Sequence, residues 1–251
     1  MKYNLDNPIA ERKTKTVYKD NDKTIKLFVA NYPKSDILNE ALNQARVEET
    51  GLNIPSLVEV TKIEDRWALV SEHIEGRTLE SLMEEHPEKK EEYLNLFVDT
   101  QISILSKEAP LLNKLKDKMQ RKIQEADISQ DIKYELNIKL ESMPKHKKIC
   151  HGDFNPSNVI IKENGEVYVI DWAHVTQGNA SADVARTYLL FCLNGKKEEA
   201  ERYLCLYSEK TETEKQYIQK WIPIVAAAHL PKASEEEKQF LMSWIDIIEY
   251  Q

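Results

Sequence analysis

The strongest constraint on the fold of this 251-residue chain is a change of hydrophobic period near residue 75. Before it, apolar residues come in short alternating runs, as half-buried strands require. After it, they recur at helical intervals among many charges. Residues 15–19 and 24–29 flank the turn 20–23 and read as a hairpin. Ser35 is placed to cap a helix running to about Glu49, with Leu38, Leu42 and Ala45 on one face and Ile37 and Ala41 beside them. Gly51 ends that helix, and 57–60 and 67–71 read as further strands. From Thr78 the helical pattern covers 79–85, 91–107, 112–126 and 128–141, then 182–193, 196–208, 212–230 and 234–249. The reading is therefore α+β, with a strand-rich part at 1–75 and a helical part at 76–251.

Charge and cysteine usage remove several classes of function. A net charge of -8 and a pI near 5.4 lack the basic footprint of a nucleic-acid binder, and are compatible with a cationic small-molecule partner. Cys150, Cys192 and Cys205 form neither a disulfide framework nor metal-ligand spacing, which makes a reducing cytoplasm the expectation. No apolar segment reads as a secretion signal or membrane span. Paired Glu and Lys residues are read as solvated helix faces, as are the acids at 235–237 and Asp246. Tyr217, Trp221 and Trp244 are read as core, although aromatic faces also bind quaternary ammonium groups.

One polar stretch interrupts the helical half. Residues 151–158 read His-Gly-Asp-Phe-Asn-Pro-Ser-Asn, and an apolar run then leads through a turn to Val-Tyr-Val-Ile-Asp171-Trp. Phosphoryl transfer needs a group that accepts or steers the acceptor hydroxyl's proton, and oxygen ligands for magnesium. Asp153 suits the first role; Asn158 and Asp171 suit the second. The bland alternative makes Gly152 and Pro156 turn formers and Asp153 and Asn158 turn residues. It leaves unexplained the lone acid that ends the next strand.

The spacing His151-Gly152-Asp153…Asn158 resembles the catalytic loop of the aminoglycoside phosphotransferase and choline kinase superfamily. That resemblance implies a protein-kinase-like, two-lobed fold, with a small antiparallel-sheet N-lobe carrying one helix and a larger, mostly helical C-lobe. By the same resemblance Asp153 is catalytic, Asn158 and Asp171 bind Mg2+, and His151 supports the loop. Lys26, on the strand Thr-Ile-Lys-Leu-Phe, matches the lysine that holds the phosphates, and Glu40 is its ion-pair partner, about 60° around the helix from Ile37. Residues 68–76 resemble the hinge, where the Glu72 carbonyl and the Ile74 amide would bond adenine. Residues 178–185, Gly-Asn-Ala-Ser-Ala-Asp-Val-Ala, resemble the segment after the metal aspartate. Asn179 and Ala180 replace its usual Asp-Pro, while Asp183 is kept and read as bonding the catalytic loop or capping the next helix.

The implied activity is transfer of the γ-phosphoryl group of ATP, with GTP left open, to a hydroxyl of a small molecule such as an aminoglycoside, an amino sugar or a choline-like alcohol. The protein would be a monomer or homodimer. The first hairpin has no glycine, so a Gly-rich phosphate loop is missing, and Thr14 and Thr16 are the donors available there. That absence counts against a protein kinase acting on a macromolecule. A catalytically silent nucleotide-binding regulator is the other alternative, and no base or metal ligand is missing to favour it.

Overall fold

The computed structural model describes residues 3–245. Strands β1 (Pro8–Glu11), β2 (Lys15–Asp20) and β3 (Lys23–Phe28) are followed by helix α1 (Lys34–Glu48), then β4 (Leu57–Ile63) and β5 (Arg66–Glu72). Next come β6 (Arg77–Thr78), α2 (Leu79–Glu85), α3 (Lys90–Ser106), α4 (Leu115–Glu125) and α5 (Gln130–Ser142). Short strands β7 (Lys148–Cys150), β8 (Val159–Ile161), β9 (Val167–Val169) and β10 (Thr176–Gly178) surround the polar stretch. The chain ends in α6 (Ala180–Leu193), α7 (Lys197–Thr211), α8 (Lys215–Gln219), α9 (Ile222–His229) and α10 (Glu235–Ile245). The helix expected to reach Glu249, and Asp246 with it, lie in part outside the described residues.

Two compact units interleave along the chain. One comprises residues 1–87 and 156–174, the other 88–155 and 175–251. The first holds a five-stranded antiparallel sheet, ordered β1-β2-β3-β5-β4, and the three-stranded sheet β6-β8-β9. Its apolar layers follow strand alternation. Ile25, Leu27, Ala68 and Val70 face one way, while Phe28, Leu69, Ile37 and Ala41 pack together on the helix side. The second unit is helical, with one small ribbon of β10 on β7. The fold is therefore α+β, an antiparallel-sheet lobe and a helical lobe, as expected.

Several local expectations are corrected. Ser35 does not cap α1: the N-cap is Pro33, whose fixed φ of -61° starts the helix two residues earlier. Leu38 and Leu42 are 44% and 48% exposed, and the buried face instead carries Glu40, Asn43 and Gln44 beside Ile37, Ala41 and Val47. Two of those polar groups are held inside by partners, Gln44 Nε2 donating to the Pro55 carbonyl at 2.7 Å and Glu40 Oε1 accepting from Lys26 Nζ at 2.7 Å, while Asn43 Oδ1 is buried with no hydrogen-bond partner among the described residues. The helix expected over 212–230 is broken into α8 and α9, because Pro223 belongs in a first helical turn. The strand β1 escaped the sequence reading, since Pro-Ile-Ala-Glu carries no alternation.

Candidate active site

Antiparallel pairing explains the interval between Asn158 and Asp171. In the β8–β9 hairpin Val159 faces Val169, and Ile161 faces Val167. The next pair outward is Asn158 with Ile170, whose amide donates to the Asn158 carbonyl at 2.9 Å. Asn158 and Asp171 therefore stand at the same open end of one hairpin. Asp171 has a φ of 64°, left-handed backbone that Asp tolerates better than most residues. The buried Trp172 follows it in a 3-10 turn and donates its indole N–H to the Val169 carbonyl at 2.9 Å. That turn packs on α1.

The same unit brings the upstream residues to Asp171. Lys26 Nζ donates to Glu40 Oε1 at 2.7 Å and to Asp171 Oδ1 at 2.9 Å. Strand alternation sends Lys26 to the side opposite Ile25 and Leu27, towards α1, where Glu40 is buried. Burial alone would lower the Lys26 ammonium's pKa; Asp171 and Glu40 outweigh it and hold the value above its ordinary range. Lys15, from the adjacent strand, adds a second cation 3.3 Å from Asp171 Oδ2 and 4.0 Å from Glu40 Oε1. The sequence reading missed it. Its register opposite Phe28 was the only available signal. Thr14 is exposed, and Thr16 pairs with Leu27 in the sheet.

At the end of β5, the Glu72 amide is engaged by the Ser56 carbonyl at 2.8 Å and that of His73 by Asp22 at 2.7 Å. Ile74 is buried, and its amide has no hydrogen bond among the described residues.

In the helical unit, residues 151–155 are held by a buried polar network. Asp183 Oδ1 accepts the Gly152 amide at 2.7 Å, and Asp183 Oδ2 accepts from Gln101 Nε2 at 3.2 Å. Gln101 also reaches Thr187, accepts from the Tyr203 hydroxyl, and Thr187 donates to the Phe154 carbonyl at 2.9 Å. His151 is fully buried, with Nδ1 accepting the Asp153 amide at 3.3 Å. Burial pushes the Asp183 carboxyl above its usual range, against the lowering effects of His151 and the Gly152 amide. The cap of α6 is Asn179, whose side chain accepts the Ser181 amide at 3.0 Å. Asp183 thus bonds the loop and does not cap. Gln101, Thr187 and Tyr203 carry no motif, so the sequence could not have named them.

Asp153 Oδ1 lies 3.9 Å from Arg186 Nη2. Burial lowers the Arg186 guanidinium's pKa against the pull of Asp153 and Asp183, and Nη1 has no hydrogen-bond partner among the described residues. No group of three or more His, Cys, Asp or Glu side chains suited to a metal occurs among the described residues. Asn158 and Asp171 instead offer one amide oxygen and one carboxylate, the hard oxygen donors that magnesium takes.

An antiparallel-sheet lobe carrying a Lys–Glu pair, with a helical lobe, defines a kinase-like α+β protein. Residues 8–217 match the phosphotransferase enzyme family, and the chain belongs to it; it is a phosphotransferase of the kinase type. Solved structures agree in fold. Aminoglycoside phosphotransferase APH(4)-Ia is similar at TM-score 0.68 and 14% identity, covering 96% of this chain and 91% of that one. Choline kinase LicA from Streptococcus pneumoniae is similar at 0.66 and 14%, covering 98% and 93%. An aminoglycoside-3'-phosphotransferase of type VIII is similar at 0.62 and 16%, covering 98% and 93%. No curated protein matches the chain. The three cysteines are free, and no helix among the described residues is long and apolar enough to cross a membrane.

Proposed function

We propose that this phosphotransferase moves the γ-phosphoryl group of ATP, with magnesium, to a hydroxyl of a small molecule. The observation that carries the reading is Lys26, held between Glu40 and Asp171 at 2.7 and 2.9 Å. An ammonium fixed by one carboxylate and facing a second is arranged to hold a polyphosphate and its counter-ion together. Among related folds, one APH(4)-Ia structure is a ternary complex with AMP-PNP and hygromycin B, and LicA has been seen with AMP.

In this reading Lys26 and Lys15 bind the phosphates, Glu40 orients Lys26, and the Glu72 carbonyl and Ile74 amide take the adenine edge. Asn158 and Asp171 would hold magnesium, which when bound neutralises charge on the phosphate oxygens. Asp153 takes or steers the proton of the attacking hydroxyl. His151 and Asp183 hold the loop that carries it. Two lysines face two carboxylates around Asp171, so those carboxylates are already neutralised before nucleotide arrives.

The test is ADP formation from ATP and magnesium against a panel of hydroxylated small molecules, amines included, for the native chain and for Asp153→Asn. We expect acceptor-dependent turnover that falls about 10²–10⁴-fold in the variant, with nucleotide affinity kept. Equal turnover by both proteins would sink the assignment of Asp153.

A further inference from the structure

Within the helical unit a cavity of about 410 Å³ opens beside the ribbon of β10 and β7. Apolar side chains of Leu115, Leu140, Met143 and Trp221 line part of it. Glycine at 178 lets β10 come close to α4, since a Cβ there would stand 2.5 Å from Leu115 Cβ. Asn179 fixes another part of the wall, donating to the Pro144 carbonyl at 3.1 Å and to the Tyr217 hydroxyl at 2.7 Å. None of the residues assigned above to phosphoryl transfer lines this space.

Two independent features give the cavity a chemical preference. The first is charge. In a chain of net charge -8, the lining holds four lysines against two carboxylates. Lys116 is paired with Glu141 at 2.5 Å, while Lys114, Lys145 and Lys147 have no carboxylate partner among the described residues. The second is Trp221. It is 3% exposed, and its indole N–H, buried, has no acceptor among the described residues. Buried donors nearly always have partners, so this one is suited to an acceptor brought by a ligand.

We propose that this cavity binds a small amphipathic anion, an apolar or aromatic body bearing a carboxylate or phosphate. The apolar wall takes the body, the Trp221 N–H donates to a ligand oxygen, and the rim lysines complement its charge.

The full chain, labelled with 15N, gives one indole resonance for each of its four tryptophans, and Trp221→Phe assigns the relevant one. Phenyl phosphate is the probe, with benzyl alcohol as its uncharged counterpart. The expected result is a saturable shift of the Trp221 indole resonance with phenyl phosphate. Exposed rim charges contribute little each, so the triple variant Lys114→Ala, Lys145→Ala, Lys147→Ala should weaken binding about fivefold. Benzyl alcohol should bind more weakly still. An unmoved Trp221 resonance at millimolar phenyl phosphate overturns the proposal, and would mean that water alone satisfies the donor. A shift of equal affinity with the alcohol, or in the triple variant, overturns it as well.

Discussion

Lys26 is both the best-tethered cation of the candidate site and a structural keystone, because its loss leaves two carboxylates facing each other. Breaking a buried ion pair typically costs 3–5 kcal/mol, but Lys15 remains to screen Glu40 and Asp171, so we expect Lys26→Met to cost about 2 kcal/mol in a denaturant titration. Nucleotide affinity, measured by calorimetry, should fall more than about tenfold in the same variant, and less for Lys15→Met. A second residue-scale outcome concerns pH. Burial, with help from Arg186, lowers the His229 imidazole from its ordinary 6.5 to about 4. The unfolded chain therefore takes up this proton first: the stability it reflects is complete above pH 6.5 and is lost as pH falls towards 4. Denaturation midpoints across that window should show the slope, and His229→Gln should flatten it. Legibility at this scale depended on whether a residue belongs to a pattern. The residues from His151 to Asp171 could be found because turn formers and acids stand at telling intervals. Lys15 could not, since a lysine on an outer hairpin strand looks like any solvated lysine until its register is known.

At the scale of elements, the departure from the expected Asp-Pro at 179–180 becomes intelligible. Asn179 does an N-cap's work for α6, and α6 carries the Asp183 that holds the Gly152 amide. Asn179→Ala should cost about 1–2 kcal/mol, with the larger value favoured by the bonds it makes to Pro144 and Tyr217, and thermal unfolding will measure it. Gly76 introduces β6, and a Cβ there would stand 2.5 Å from the Ile161 carbonyl oxygen. Since backbone cannot yield as a side chain does, Gly76→Ala should destabilise by about 1–3 kcal/mol. The sequence disclosed most strands and helices because their periods differ. It misled on α1, where exposed Leu38 and Leu42 imitate a buried stripe while Glu40 and Gln44 take the interior. Polar groups are retained inside by specific partners, and partners distant in sequence leave no period to read.

For the whole molecule, ligand binding and folding are one equilibrium. If nucleotide and magnesium bind only the folded chain, a concentration 100 times Kd adds about 2.7 kcal/mol, which for a chain of this size raises Tm by roughly 5–10 °C. Asp171→Ala should abolish that rise, and a thermal melt with and without both ligands checks it. The acidic composition sets an expectation against a general nucleic-acid binder, yet no single property of the whole chain points to the acceptor. The interleaving of the two units has a further consequence, for synthesis on the ribosome. The first unit's opening segment ends at Pro87, but its hairpin strands β8 and β9 begin only at Val159. At about 5–20 residues per second, the nascent sheet lobe waits on the order of 4–14 s for the segment that completes it. During that interval Lys26 and Glu40 exist without Asp171, and the N-terminal lobe is a candidate client for chaperones until its own missing piece emerges.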